Sequence, residues 1–157
     1  IAYGMLSNQE DAYDAAQEVF VRVYKSIESF KEQSSFTTWL YRITTNVCSD
    51  ILRKRQKHSG VISINQAIDE KKDMDIRDES PTPEENMEIS ERQRAVREAI
   101  SELKEEYRTV ITLCDIEGLS YDYIAEVLGI PSGTVKSRIN RARSALKKNL
   151  MNKRELF

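Results

Sequence analysis

The sequence predicts an all-α chain: two small helical domains, residues 1–57 and 83–157, joined by a flexible acidic linker over 58–82, with a helix-turn-helix in the second domain. Three observations carry this. Apolar residues recur at three- and four-residue spacing on both sides of a polar middle stretch, and no alternating strand pattern of useful length occurs. Apolar residues make up 39% of the chain and charged residues 32%, a balance that suits short helices with broad wet faces better than one large core. The stretch from Gly118 to Arg143, GLSYDYIAEVLGIPSGTVKSRINRAR, sets two short helical patterns around one glycine.

In the first domain, Ala12, Ala16, Val19, Phe20, Val23, Ile27 and Phe30 trace the stripe of an amphipathic helix. The polar run Lys31 to Ser35 breaks it. Trp39, Leu40, Ile43, Val47 and Ile51 trace a second helix ending in the cations Arg53, Lys54, Arg55 and Lys57. Cations there also favour the negative end of the helix dipole, so the cluster has a structural reading beside a functional one. From 58 to 82 there is no sustained period. Gly60, Pro81 and the acids Asp69, Glu70, Asp73, Asp75, Asp78 and Glu79 mark a linker, extended apart from a marginal turn around Ile62 to Ile68. Its acidity is ordinary solvation or, more sharply, imitation of nucleic acid in a basic channel. Thr82-Pro83-Glu84-Glu85 then restarts a helix, with Thr as N-cap, Pro at the first helical position and Glu three residues after the cap. Ile89, Val96, Ile100 and Leu103 continue its buried stripe, and a further helix from about Glu105 turns Tyr107, Val110, Ile111 and Cys114 inward.

The last two helices carry the sharpest signal. Ile124, Ala125, Val127 and Leu128 form one buried face, and Gly129 supplies the positive φ of a tight turn. Pro131 and Ser132 start the next helix, with Ser132 as its N-cap. Val135, Ile139, Ala142 and Leu146 pack back, leaving Lys136, Arg138, Arg141 and Arg143 opposite. This is the layout of a helix-turn-helix whose second helix enters a DNA major groove, and equally that of a helical hairpin with a solvated basic face. Charge asymmetry favours the first: every charged residue from Thr134 to Arg154 is Lys or Arg, in a chain whose formal net charge is −2.

Other function classes find little support. No apolar run approaches membrane-spanning length, and no secretory signal is visible. Cys48 and Cys114 sit in helical apolar patterns, as buried thiols of a reducing cytosol rather than a disulfide, and show no zinc-ligand spacing. His58, the one histidine, reads as a solvated loop residue. With no phosphate loop, metal cluster or nucleophile–base constellation, neither an enzyme nor a cofactor is expected.

EDAYDAAQEVFVRVYKSIESF followed by SSFTTWLYRITTNVCSDILRKR resembles the second conserved region of bacterial sigma factors, and Leu103 to Leu150 resembles their fourth. With these two regions and a short linker, the chain resembles an extracytoplasmic-function (group IV) sigma factor, cytoplasmic and without membrane insertion. The resemblance implies a dissociable subunit of RNA polymerase that recognises −35 and −10 promoter elements and helps melt the duplex. By resemblance, the −35 contacts fall on Ser132, Gly133, Thr134, Lys136, Ser137, Arg138, Asn140 and Arg141. Lys and Arg can grip guanine edges or phosphates, Asn can pair with adenine, and free N–H groups at a helix N-terminus suit a phosphate. The −10 contacts fall on Phe30, Phe36, Trp39, Tyr41, Arg42, Asn46, Arg53 and Lys54. Rings stack on unpaired bases while cations follow the backbone, although Trp39 and Phe36 also fit a core. The exposed acids and amide of the first long helix, Asp11, Asp14, Gln17 and Glu18, would dock on the β′ clamp helices of core polymerase. Contact with the β flap and silencing by an anti-sigma factor, often membrane-anchored, are implied as well.

The sequence also departs from the family pattern. Cys114 stands where many relatives carry a basic residue, and Ser120-Tyr121-Asp122-Tyr123 lacks the reciprocal Glu of a capping box. Relatives usually have a further helix ahead of Ala2 to Leu6, so a sequence that begins at Ile1 reads as a fragment whose first domain is short of core. A conventional helix-turn-helix regulator that never joins polymerase would use the second domain in the same way but leave the aromatic WLYRI segment unexplained. An interaction module for a protein regulator is the third reading.

Overall fold

Helix α1 (Ala2–Leu6) turns at Ser7 into α2 (Gln9–Ser26), which ends in a 3-10 turn, Ile27–Ser29. α3 (Phe36–Ser59), α4 (Pro83–Ser101) and α5 (Glu105–Ile111) follow, and α5 runs into a π-helical turn, Thr112–Ile116. α6 (Tyr121–Leu128) and α7 (Ser132–Asn152) complete the order. The computed structural model describes residues 1–30, 34–59 and 83–153, the side chains of 56–59 and 83–90 apart, and contains no strand among them. The linker expected over 58–82 lies outside the described residues, except that 58 and 59 form the end of α3. The Thr82 cap lies outside them too, while α4 does start at Pro83.

Local chemistry accounts for the helix starts. The Asn8 side chain accepts from the Asp11 N–H at 3.0 Å, capping α2 with Glu10 and Asp11 in its first turn. Ser35 does the same for α3, where its Oγ accepts from the Thr38 N–H at 3.1 Å. α1 was not foreseen as a core element, yet Met5 and Leu6 are buried against Ala15 and Val19 of α2 and Val47, Cys48 and Leu52 of α3. α2 presents its alanines to these neighbours, and small side chains let the helices approach closely. Phe20 and Ile27, expected on the buried stripe, are therefore 70% and 42% exposed.

A second core gathers Ile100, Leu103, Val110, Ile111, Leu113, Ile124, Val127, Val135, Ile139 and Ala142 from α4 to α7. α4 turns Ala95 and Ala99 inward and leaves Val96, expected in the stripe, 37% exposed. The two cores are joined directly. α3 packs on α5 and α6, and α1 packs on α4 and the π turn. At Gly4 the approach is so close that an added Cβ would lie 2.7 Å from Thr112 Cγ2.

Arg108 of α5 fastens this junction. Its Nη1 donates to the Met5 carbonyl at 3.1 Å, and its Nη2 donates to the carbonyls of Leu103 (3.1 Å) and Ser101. Burial, with Arg55 nearby, holds its pKa below the usual arginine value. Carbonyls at the end of α1 and α4 need such donors once water is excluded. Arg108→Met should lower stability by about 2–4 kcal/mol, read as a lower urea midpoint. Arg108→Lys should recover only part of it, because an ammonium cannot reproduce the planar fork.

Candidate nucleic-acid interface

The helix-turn-helix is closed by four local features. Ser120 caps α6, its Oγ accepting from the Tyr123 N–H at 3.2 Å. Gly129 takes φ 64° and ends α6, with the Ile130 N–H returning to the Ala125 carbonyl at 3.1 Å. Pro131, not Ser132, is the N-cap of α7, and its carbonyl accepts from Thr134 and Val135. The expected Ser132 cap is corrected by its partner: Ser132 Oγ donates to Asp122 Oδ1 at 2.7 Å, tying the start of α7 to the start of α6. Val135, Ile139 and Ala142 are fully buried beneath the pair.

The basic face of α7 divides in two. Gly133, Lys136, Ser137, Asn140 and Arg141 are exposed along one strip, with Ser132 and Thr134 half-buried at its start. Arg138 is half-buried and pairs with Glu106 at 3.5 Å. Arg143 is held by Asp115 at 2.5 Å and 3.2 Å, which raises the arginine pKa further and holds the carboxyl below its ordinary range. The cations expected together therefore separate into an open pair, Lys136 and Arg141, and two that are partnered within the domain.

Seven of the eight residues expected at the −10 strand fall into three groups. Phe30, Phe36 and Trp39 form one aromatic cluster, with centroid separations of 5.0 Å (Phe30–Trp39), 5.6 Å (Phe36–Trp39) and 6.1 Å (Phe30–Phe36). Phe36 is 47% exposed and gives the cluster an open edge. Tyr41 is not with them. It packs on the second core, edge-to-face with Tyr123 at 6.0 Å, where burial, then Glu117 and Tyr123, raise its pKa. Arg42 also turns to the second domain, donating from Nε (3.2 Å) and Nη2 (2.8 Å) to the Glu126 carbonyl. Asn46 and Arg53 line a cleft with Lys104, Glu105, Glu106 and Arg138, in which Arg53 pairs with Glu105 at 3.3 Å. Lys54 is exposed.

On α2, Asp14, Gln17 and Glu18 are exposed, whereas Asp11 is half-buried and ion-paired with Arg55 of α3. Glu18 binds Arg22 at 2.7 Å, which lowers the Glu18 pKa. The expected acidic face is thus partly neutralised. What the sequence reading missed there is apolar: Tyr13, Phe20 and Tyr24 are 62%, 70% and 83% exposed beside Gln17. Their spacing of seven and four residues is the sequence signal for this edge, obscured because Phe20 also fits the apolar stripe of α2.

Cys48 is buried and its thiol is pushed up to about 11, chiefly by burial. Among the described residues no group of three or more His, Cys, Asp or Glu is placed to hold a metal ion, and no helix is long and apolar enough to cross a membrane.

Known proteins match both halves of this arrangement. The family model for Sigma-70 region 2 matches residues 1–58, and that for Sigma-70, region 4 matches residues 93–146. The chain is 40% identical over 147 residues to the ECF RNA polymerase sigma factor SigE of Mycolicibacterium smegmatis, covering 94% of this chain and 54% of that protein. It is 41% identical over 152 residues to the ECF RNA polymerase sigma factor SigW of Bacillus subtilis, covering 96% of this chain and 81% of that one. The chain therefore spans about half the length of the first relative and most of the second. A solved structure of the sigma factor RpoE, in complex with the anti-sigma factor NepR from Bartonella quintana, superposes with a TM-score of 0.66 at 27% identity, over 96% of this chain and 87% of that one. With an aromatic cluster at the head of α3, a helix-turn-helix at α6–α7, and this degree of identity over nearly its whole length, the chain belongs to the extracytoplasmic-function family of RNA polymerase sigma factors.

Proposed function

We propose that this chain joins core RNA polymerase in the cytoplasm, recognises −35 and −10 promoter elements and promotes melting of the duplex. The observation that carries the reading is that one chain holds both an open basic strip on α7 and an aromatic cluster at the head of α3. A duplex reader needs only the first; a protein that traps unpaired bases needs the second. The experiment is transcription with core polymerase over a promoter library, and specific initiation is the expected result. Tight duplex binding without initiation would favour a conventional regulator. An anti-sigma factor of its own is part of the proposal, supported by the RpoE relative solved with NepR.

Within this reading, Lys136, Ser137, Asn140 and Arg141 face the −35 bases, while Ser132, Gly133 and Thr134 meet the phosphates. Arg141→Ala should weaken −35 binding by about 1–3 kcal/mol and relax specificity if the guanidinium reads a base. A phosphate role would instead lower affinity evenly across sequences and reduce the salt slope by about one. Matched and mismatched duplexes at two salt concentrations separate the two roles.

Phe30, Phe36 and Trp39 stack on the unpaired −10 strand, and Asn46 supplies a polar reader. Phe30→Ala and Asn46→Ala should impair opening more than closed binding, since their target exists only once the strands part. A stacked ring contributes about 1–3 kcal/mol per base. A premelted bubble should rescue Phe30→Ala only in part, as read by permanganate footprinting.

Docking on the clamp helices draws on Asp14 and Gln17 together with the exposed rings of Phe20 and Tyr24. Aromatic side chains in the centre of an interface contribute far more than rim charges. Phe20→Ser should reduce affinity for core polymerase at least tenfold, while thermal melting and −35 duplex binding stay near wild type.

A further inference from the structure

The head of α7 has fewer open hydrogen-bond donors than its sequence suggests. The Ser132 hydroxyl, on the first residue of the helix, donates to Asp122 Oδ1 at 2.7 Å, the length of a bond to an ionised acceptor. A serine hydroxyl has a single proton, so none is left for a phosphate, whose oxygens only accept. The Ser137 hydroxyl is committed too, to the Thr134 carbonyl at 2.9 Å. The N–H groups of Thr134 and Val135 go to the Pro131 carbonyl at 2.9 Å and 3.1 Å. Those of Ser132 and Gly133 lie too near the helix start to have intrahelical acceptors, and stay open to a phosphate. Charge adds to this. Asp122 is exposed in the first turn of α6, and the hydrogen bond brings its carboxylate to the start of α7. Glu106 and Asp115 are paired with Arg138 and Arg143, whereas among the described residues no Lys or Arg pairs with Asp122.

We infer, on the −35 reading above, that Asp122 is a specificity-determining residue for promoter binding: it keeps the Ser132 hydroxyl from the DNA backbone and sets a negative charge beside it. Ser132 then meets a phosphate through its N–H alone. Phosphate contacts carry non-specific affinity, and base-edge contacts discriminate between sequences. Weakening the phosphate contact where α7 enters the groove leaves more of the affinity to Lys136, Asn140 and Arg141. On a matched duplex those three side chains fix where α7 lies, so its head meets the backbone at one place. On a mismatched duplex the chain settles wherever phosphates are nearest. A freed hydroxyl and a lost negative charge therefore favour the mismatched complex more than the matched one.

Asp122→Ala, Ser132→Ala and the double variant of the full chain test this, by fluorescence polarisation on matched and mismatched −35 duplexes at two salt concentrations. Alanine at an exposed helical position preserves α6, and thermal melting reads the fold. Asp122→Ala should bind the mismatched duplex about three- to fivefold more tightly, the scale of one exposed charge interaction, and the matched duplex by less than about twofold. The gain should shrink as salt rises, because it comes from removing a charge. Ser132→Ala should leave both affinities unchanged, its hydroxyl being committed already, yet reduce the gain when added to Asp122→Ala. Partial unfolding cannot imitate this result, since it lowers affinity for every duplex. Unchanged or weaker mismatched binding by Asp122→Ala, an equal gain on both duplexes, or weaker binding by Ser132→Ala alone overturns the assignment. Initiation by the wild-type chain with core polymerase, and its preference for the matched duplex, are read separately, so failure of the promoter reading is told apart from failure of the Asp122 role.

Discussion

A guanidinium sealed among backbone carbonyls is the constraint on which this architecture turns. Arg108 reaches the end of α1 in the first domain and the end of α4 in the second, from a position on α5. Helix ends are the expensive part of a short-helix protein, because each leaves carbonyls without partners inside the helix. Placing one five-donor side chain where two such ends converge satisfies both and fixes their relative position. It also leaves Arg108 Nε and the neighbouring Thr112 Oγ1 buried without a partner, a local cost accepted at the junction of the domains.

Much of the second domain was legible because its determinants are local. A glycine at positive φ, a serine cap and an apolar period of three to four residues define α6 and the start of α7 wherever they occur. Ser132 shows the limit: a serine after proline at a helix start suggests a cap, but Asp122, ten residues earlier, captures its hydroxyl. Phe20 and Val96 show another. Their spacing fits an apolar stripe, but α2 turns Ala15 and α4 turns Ala95 and Ala99 inward instead, a choice that spacing alone does not make. Nothing in the local sequence announces that Gly4 meets Thr112, or that Arg108 bonds three carbonyls, since those contacts join distant segments.

The candidate site was legible as a set of residue types but not as a set of neighbours. Aromatic and basic residues crowd the segment from Phe30 to Lys54, and a reader of one dimension treats them as a single surface. The helix divides them by face. Phe36 and Trp39 look toward Phe30, while Thr38, Tyr41 and Arg42 look toward α6. The same division recurs on α7, where Arg138 and Arg143 have acids of their own and, among the described residues, Lys136 and Arg141 do not. Counting cations along a sequence overstates the charge available to a ligand, because intramolecular partners claim a share of it.

The burial of Cys48 has a chemical consequence of a different kind. Peroxide attack and thiol–disulfide exchange proceed through the thiolate. With the thiol pushed up to about 11, only about one molecule in ten thousand carries that thiolate at neutral pH. Val47 and Leu52, both buried in the same core, add a steric barrier to the electrostatic one. Cys48 is in this way a poor nucleophile at neutral pH, and its sulfur contributes packing volume to the first core.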